Sequence, residues 1–471
     1  MDALIRMTAR EVVARLAKGE VSPLDLIDLA EKRIAETDGA INALPTRCFE
    51  RARDKAKALM QKRPVSPPPG YLHGLPVAIK DLAEVAGVRT TFGSPIYADH
   101  VPARSDLQVE ILEAHGATVV AKSNTPEFGA GAQTFNEVLG TTANPWNTAL
   151  TPGGSSGGAA AALAAGQVWL ASGSDLGGSL RIPAAFCGVV GLRPSPGRVA
   201  HGQTALPFDP LSVAGPMARN VGDVALMLDA MSGETFEDPI SLPPPATPFL
   251  RAIERPVAPK RVAFHPTLNL TPVDPEVAEV CRRAAQSFAG LGAEVEEETL
   301  DFGDAEAMFQ TFRAVGFAAR HQPLLESHRD QLKPEVIWNI EAGLKRSARD
   351  IAEAERGRTA LWRRVLAFFE KFELLLCPTT LVPPFDHHQR YLSELGGVKF
   401  PTYVSWLIPT FAVTLTACPA ISIPCGFTAS GLPIGLQMVG RPRGEAALLA
   451  AAHLFEQAHD FHRRVPLDPR G

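Results

Sequence analysis

Short apolar runs alternate with helix-forming segments over much of this chain, and this alternation limits the folds that it can adopt. GLPVAIKD (74–81) and ATVVAK (117–122) have the length of buried strands, and DLQVEILEAHG (106–116) between them has helical spacing and a terminal glycine. RVAFHP (261–266) begins a similar unit further on. Strands that alternate with helices favour a parallel sheet, because the crossover helices cover both of its faces. The residue pattern therefore predicts an α/β fold with a largely parallel sheet.

The 471 residues are expected to form one domain in four consecutive parts. Residues 1–65 are predicted as N-terminal helices, one of which begins at Ser22, an N-cap residue followed by proline. Residues 66–235 form the predicted catalytic core. Residues 236–400 form a second part with a variable helical insertion, and residues 401–471 return to the core as strands and a helix.

Composition and charge exclude several classes of function. The net charge is −5 and no lysine- or arginine-rich block is present, so nucleic acid is not an expected partner. No apolar run approaches the roughly 20 residues that span a bilayer, so no membrane is expected. The six cysteines are scattered without metal-ligand spacing, which indicates reduced thiols and no metal. We expect a cytoplasmic protein without a cofactor, for which a homodimer is compatible with the sequence.

Two glycine-serine segments, TPGGSSGGA (151–159) and GSDLGGSLRIP (173–183), carry the candidate chemistry. Such loops cradle phosphate, form an oxyanion hole, or simply turn the chain. A phosphate site is disfavoured because no lysine follows either segment in the P-loop spacing. Ser155 lies in a G-x-S-x-G pattern, but the residues before it do not resemble a strand, as a hydrolase elbow requires. That interpretation also leaves the second segment without a role.

A third interpretation uses both segments together with Lys80. Ser179 is the candidate nucleophile, yet no histidine lies within ten residues of it. Lys80 is the only charged residue of GLPVAIK, where burial can lower its pKa from the reference of about 10.4. A neutral lysine can act as a general base, with the hydroxyl of Ser155 between the two groups. The backbone N–H groups of Leu176, Gly177 and Gly178 are expected to form an oxyanion hole.

The same residues resemble a known family. GLPVAIKD, PGGSSGGAAA and GSDLGGSLRIPAAFCGVVGLRPS are similar to the three core motifs of the amidase signature family, including the 24-residue separation of Ser155 and Ser179. The resemblance implies a single α/β/α domain with a large mixed sheet covered by helices on both faces. It also implies amide hydrolysis by a triad of Ser179 as nucleophile, Ser155 as proton relay after a cis peptide, and Lys80 as general base.

The resemblance extends to residues around the triad. Asp175 and Arg181 correspond to family residues that brace the loop, and Ser156 is expected to support them. Gly129 falls where family members place a backbone contact to the substrate. Trp406 and Phe411, in YVSWLIPTFAVTLTACPAIS, are candidate contacts in an apolar pocket wall.

The substrate is expected to be a small amide that reacts with water. The family includes the glutaminase subunit of a tRNA-dependent amidotransferase, which uses an acid to hold the amino group of glutamine. No acid follows Glu394 before the end of the segment in which that residue is expected, and a buried ammonium without a partner is costly. We therefore expect a neutral, apolar or aryl amide, with esters and carbamates as further candidates. The alternatives are a non-enzymatic binding module and the glutaminase subunit.

Overall fold

The computed structural model describes residues 2–62, 64–201 and 206–471. The helices are α1 Asp2–Arg6, α2 Ala9–Lys18, α3 Pro23–Ile41, α4 Phe49–Gln61, α5 Leu107–Ala114, α6 Gly157–Ala164, α7 Arg181–Cys187, α8 Val221–Met231, α9 Phe249–Glu254, α10 Pro275–Gln286, α11 Ala305–Ser327, α12 Pro334–Leu344, α13 Ala348–Lys371, α14 Ile408–Leu415 and α15 Glu445–His459. The strands are β1 Thr46–Arg47, β2 Pro76–Lys80, β3 Thr118–Ser123, β4 Phe135–Asn136, β5 Gly140–Thr141, β6 Leu170–Asp175, β7 Val190–Arg193, β8 Val213–Ala218, β9 Arg261–Phe264, β10 Glu294–Glu297, β11 Leu374–Pro378, β12 Glu394–Leu395, β13 Val398–Lys399, β14 Ala420–Phe427 and β15 Pro433–Val439.

Eleven strands form one mixed sheet in the order β1-β3-β2-β6-β8-β7-β14-β15-β11-β9-β10. Pairing is parallel in β3-β2-β6 and in β11-β9-β10, near the two ends of the sheet. All pairs between β6 and β11 are antiparallel. The largely parallel sheet predicted from the alternation is therefore wrong, whereas the mixed sheet implied by the family resemblance is confirmed. The alternation failed because strands such as β14 and β15 follow one another without an intervening helix and pair as a hairpin.

Helices cover both faces of this sheet, as predicted. Val77 and Ile79 of β2 pack on one face in a core cluster with α2, α5, α8, α10 and α15. Ala78, between them in sequence, lies on the other face with α3, α4, α6 and α7. At the far end of the sheet, that second face is covered by α11, α13 and α14. This alternation of neighbouring residues between two cores is the period of a strand that is buried on both faces.

The local helix signals are confirmed where the sequence provided them. The side chain of Ser22 accepts a hydrogen bond from the backbone N–H of Asp25, and Pro23 is the first residue of α3. In the described residues, no helix is both long and apolar enough to cross a membrane.

The sheet brings the two glycine-serine segments close to Lys80. Lys80 is the last residue of β2, and β6 pairs in parallel beside it and ends at Asp175. Parallel strands present their carboxyl ends at the same sheet edge, where ligand sites of α/β sheets occur. The first segment leads into α6 and the second into α7, and these two helices are in contact.

Candidate active site

Lys80 lies in a cage of three serine hydroxyls. Its Nζ is 2.7 Å from Ser155 Oγ, 2.9 Å from Ser156 Oγ and 3.0 Å from Ser174 Oγ. The whole of β2 is buried, and the Lys80 side chain is only 2% exposed. An ammonium can donate to all three oxygens, whereas a neutral amine donates to two and accepts from the third. The cage therefore satisfies either protonation state.

Burial lowers the pKa of Lys80 to about 7, because the charged form loses its hydration in the interior. The negative charge of Asp175 acts in the opposite direction and raises this pKa. Burial has the larger effect. A substantial fraction of Lys80 is therefore a neutral amine at neutral pH, as a general base must be.

Close backbone contacts fix the loop that carries Ser155. The Gly154–Ser155 peptide bond is cis, as the resemblance implied. At Gly157 a Cβ atom would meet Thr134 Oγ1 at 2.2 Å, and at Gly158 it would meet the backbone N of Asn124 at 2.4 Å. Only glycine fits at these two positions. The first glycine-serine segment is thus a tight entry to α6 that directs Ser155 toward Lys80.

Ser179 and Ser155 line the same small cavity, of about 100 Å³, which we call the serine cavity. The backbone N–H of Ser156 donates to the carbonyl oxygen of Ser179 at 3.3 Å, which ties the two glycine-serine segments together. Within the described part of the chain, the hydroxyl of Ser179 makes no hydrogen bond, with Ser155 or any other group. Catalytic hydrogen bonds often form only once substrate is bound.

The three N–H groups expected to form the oxyanion hole are not equivalent. The N–H of Gly178 donates to Asp175 Oδ1 at 3.0 Å, so it is already used and does not face a substrate. The reason is the turn itself, in which Asp175 also accepts from the N–H of Leu180 at 3.1 Å. In the described residues, the N–H groups of Leu176, Gly177 and Ser179 have no hydrogen-bond acceptor. The N–H of Ser179 was not among the groups predicted from the sequence.

Asp175 is fully buried between two arginines. Arg181 binds it in a bidentate manner, with Nε at 3.0 Å from Oδ2 and Nη2 at 2.9 Å from Oδ1. Arg193 approaches Oδ1 at 3.3 Å and also donates to the Asp175 carbonyl. Burial alone would raise the pKa of Asp175, but the charges of Arg181 and Arg193 outweigh it and hold the pKa well below its ordinary value. Asp175 is therefore a carboxylate that fixes the second glycine-serine segment.

Two further residues of the site, Ser174 and Arg193, were not predicted from the sequence. A signal for Ser174 was present, because the parallel pairing of adjacent strands places the residue before Asp175 beside the end of β2. A signal for Arg193 was present too. It is a charged residue in the apolar run VVGLRPS, and a buried charge requires a partner.

The wall of the serine cavity is mostly apolar. It includes Leu82, Phe128, Phe309, Phe317, Val404 and Leu407. Gly129 also lines it, and a Cβ atom there would lie 3.4 Å from Ser155 Oγ. An adjoining cavity of about 450 Å³ shares Leu82, Phe128 and Ser174 with it and reaches Lys80.

Trp406 and Phe411, the two aromatic residues expected in this wall, lie behind it. The Trp406 ring is buried against Phe385, with ring centroids 5.8 Å apart. Phe411 stacks on Phe309 at 4.4 Å, so Phe309 separates it from the cavity. The helix α11, from the insertion whose geometry the sequence did not reveal, provides the aromatic surface instead.

One cluster of potential metal ligands occurs in the described residues. It consists of Asp386, His387 and His388, three neighbours in a loop, of which Asp386 and His388 are exposed. None of the three lines the serine cavity.

Comparisons with known proteins agree with this geometry. A family model described as Amidase matches residues 25–449. An acylamidase from Rhodococcus erythropolis is 36% identical over 98% of this chain and 97% of its own length. A glutamyl-tRNA(Gln) amidotransferase subunit from Moorella thermoacetica is 35% identical over 98% of this chain and 99% of its own length. The crystal structure of a bacterial aryl acylamidase superposes with a TM-score of 0.91, at 28% identity and 98% coverage of both chains. The chain therefore belongs to the amidase signature family of amide-hydrolysing enzymes.

Proposed function

We propose that the chain is an amidohydrolase for amides with an apolar or aryl body and that it acts without a partner subunit. Ser179 is the proposed nucleophile, Ser155 the proton relay and Lys80 the general base. One observation carries this proposal. The amine of Lys80 is buried among serine hydroxyls and has a pKa of about 7. It lies beside the serine cavity, which Ser179 also lines.

In the first half-reaction, the Lys80 lone pair accepts the proton of Ser155, whose oxygen takes the proton of Ser179. Ser179 Oγ attacks the carbonyl carbon, and the carbonyl electron pair moves onto oxygen. The N–H groups of Leu176, Gly177 and Ser179 are the proposed donors to this oxyanion. The C–N bond then breaks, and Ser155 returns a proton to the leaving nitrogen while Lys80 reprotonates Ser155. An acyl ester on Ser179 remains.

In the second half-reaction, water takes the place of the amine. Ser155 removes one proton from water, again backed by Lys80, and the hydroxide attacks the acyl ester. Collapse of the second oxyanion breaks the ester bond, and the proton returns to Ser179. Esters and carbamates are proposed to react by the same steps, since they present the same carbonyl.

The apolar wall supports the proposed substrate class. Phe309 and Phe317 on α11, with Leu407 before α14, offer surface for an aryl or aliphatic group. The serine cavity and the adjoining cavity together have space for a substrate of that size. The acylamidase and the aryl acylamidase structure are similar proteins whose names also point to acyl amides.

The second candidate function is the glutaminase subunit, which the 35% identical amidotransferase relative favours. Glutamine carries an ammonium group, and no acidic residue lines the serine cavity in the described chain. The apolar wall thus supports the stand-alone hydrolase better.

The test is hydrolysis of para-nitroacetanilide by the purified chain alone, and the release of the aromatic amine is the readout. We expect turnover and, by mass spectrometry of the quenched enzyme, an acyl adduct on Ser179. Ser212→Ala is the matched control, because Ser212 lines the same cavity without a hydrogen bond to Lys80. Release of ammonia from glutamine only, and only with an added partner subunit, would favour the second candidate.

A further inference from the structure

A buried arginine lines the serine cavity together with Ser179. Arg313, on α11, is 5% exposed. Its guanidinium carbon lies 5.0 Å from the ring centre of Phe317 and 5.1 Å from that of Tyr403. The two aromatic faces hold the planar cation and partly offset its loss of hydration. Arg313 therefore has a fixed position in the cavity wall.

Arg313 has no acidic partner in the structure. Its two hydrogen bonds go to Asn339 Oδ1 and to the hydroxyl oxygen of Tyr403, both neutral groups. Across residues 2–62, 64–201 and 206–471, no Asp or Glu oxygen lies within 4.0 Å of its guanidinium. Nearby Glu335 is paired instead with Arg390, at 2.6 Å. A buried cation without a countercharge is costly, so the site favours an anion from outside the chain.

Tyr403 adds a second hydrogen-bond donor beside Arg313 in the wall of the serine cavity. Its hydroxyl oxygen accepts hydrogen bonds from Arg313 and from Asn339 Nδ2, the latter at 2.6 Å. Burial raises the pKa of Tyr403, so the phenol keeps its proton. This O–H has no acceptor among the described residues. Since Tyr403 also lines the serine cavity, the pair presents donors and no acceptor to a ligand there.

We propose that Arg313 and Tyr403 bind a carboxylate that the amide substrate carries at the end of its apolar body. This inference rests on the proposed function and narrows it, because the sequence alone favoured a neutral substrate. A guanidinium and a phenol together match the two oxygens of a carboxylate.

An amino-acid zwitterion fits this arrangement less well. Its ammonium would need an acid close to the carboxylate site, and no Asp or Glu of the described residues lines the serine cavity. Two acids of the adjoining cavity, Asp106 and Asp238, accept from backbone N–H groups, and the other two have side-chain partners. Asp209 pairs with Arg320 at 2.6 Å, and Glu84 lies 2.7 Å from His100 Nε2. The inferred substrate class is therefore an acylamide with one carboxylate and no ammonium.

The first test compares kcat/KM for acids and their uncharged counterparts. One pair, para-acetamidobenzoate and para-acetamidobenzonitrile, places the charge on the amine side of the amide. The other, succinanilate and butyranilide, places it on the acyl side. We expect wild type to prefer the acid in one pair, which identifies the side. Arg313→Met should lower kcat/KM for that acid by about 30-fold or more. The uncharged amide should change by less than about threefold.

Two variants control for a structural effect. Arg313→Lys keeps the charge and should recover part of the preference for the acid. Arg358→Met removes an arginine of α13 that pairs with Glu355 and lines neither cavity, and it should leave the acid-to-neutral ratio unchanged. Equal losses on acid and neutral amides in Arg313→Met would overturn the carboxylate site and leave Arg313 a structural residue. So would a wild-type enzyme that hydrolyses the neutral anilides and prefers the acid in neither pair.

A binding measurement separates this inference from the proposed catalysis. Calorimetry with Ser179→Ala should show tighter binding of the preferred acid than of its neutral counterpart, and the added Arg313→Met substitution should abolish the difference. If no anilide is hydrolysed but this difference is found, the proposed function fails and the anion site stands. If the acid binds no tighter than its neutral counterpart in either pair, the anion site is refuted, whatever the activity.

Discussion

The pH dependence of the reaction tests the central feature of the site, a lysine whose pKa is lowered to about 7. With a pKa of about 7, Lys80 is a neutral amine in about nine-tenths of the molecules at pH 8 and in about one-tenth at pH 6. The proposed base can accept a proton only in that form. We therefore expect kcat/KM to fall about tenfold from pH 8 to pH 6 and to be nearly constant above pH 8.

A lysine with its ordinary pKa of 10.5 predicts a different curve. Its neutral fraction would fall about 100-fold from pH 8 to pH 6. With increasing pH, this fraction would still be rising beyond pH 9. The shift from 10.5 to about 7 corresponds to roughly 5 kcal/mol of preference for the neutral amine, at about 1.36 kcal/mol per pKa unit. Burial must supply this difference, since Asp175 acts against it.

The assay is the initial rate of para-nitroacetanilide hydrolysis below KM, measured from pH 5 to 9.5. Asp106→Asn is the control, because burial raises the pKa of Asp106 to about 6 and this residue lines the adjoining cavity. The inflection near pH 7 should remain in that variant and disappear in Lys80→Met. A rate that is still rising at pH 9.5, or an inflection near pH 7 that is lost in Asp106→Asn, would refute the assignment of Lys80 as the base.

Three further substitutions test the remaining parts of the site. Ser179→Ala should abolish anilide turnover while calorimetry still detects substrate binding; residual turnover at the wild-type rate would exclude it as nucleophile. Ser155→Ala should lower kcat by about 10²–10⁴ with little change in KM, in steady-state kinetics. Gly178→Ala should lower both Tm and activity, because its φ is +124° and a Cβ atom would lie 2.3 Å from Thr410 Oγ1. In Gly39→Ala, within α3, the new Cβ atom meets nothing within 4 Å, so activity should stay the same and Tm should rise slightly because alanine favours the helix; equal losses in the two variants would contradict this argument.

The fold was predictable where local signals determine structure. Helix α3 begins after the capping residue Ser22, and the buried strand β2 ends at Lys80, as the local pattern indicated. Helix α5 ends before Gly116, whose φ of +80° suits glycine. Strand direction was not predictable in this way, because pairing depends on partners far apart in sequence. β6 pairs antiparallel with β8, although α7 and β7 lie between them in the chain.

The polar residues of the site were predictable because a charged or polar side chain in a buried position has few structural explanations. A lysine at the end of an apolar strand needs a polar partner, and a serine in a glycine-rich turn can provide one. In the structure, Lys80 Nζ lies 2.7 Å from Ser155 Oγ. Apolar residues carry no such information, because an aromatic side chain in a cavity wall has the same sequence pattern as one in the core. Here Phe309 of α11 occupies the wall, while Phe411 packs behind it.

Asp175 links Lys80, the proposed base, to the turn that is proposed to hold the oxyanion. Its carboxylate accepts from the N–H of Gly178 and thereby orients the turn, yet its charge raises the pKa of Lys80. Arg181 and Arg193 place two positive charges against this one negative charge. Because opposite charges in contact weaken the field of an ion at a distance, the arginines limit the effect of Asp175 on Lys80. The carboxylate can therefore hold the turn while burial still keeps a large fraction of Lys80 in the neutral form that its proposed role requires.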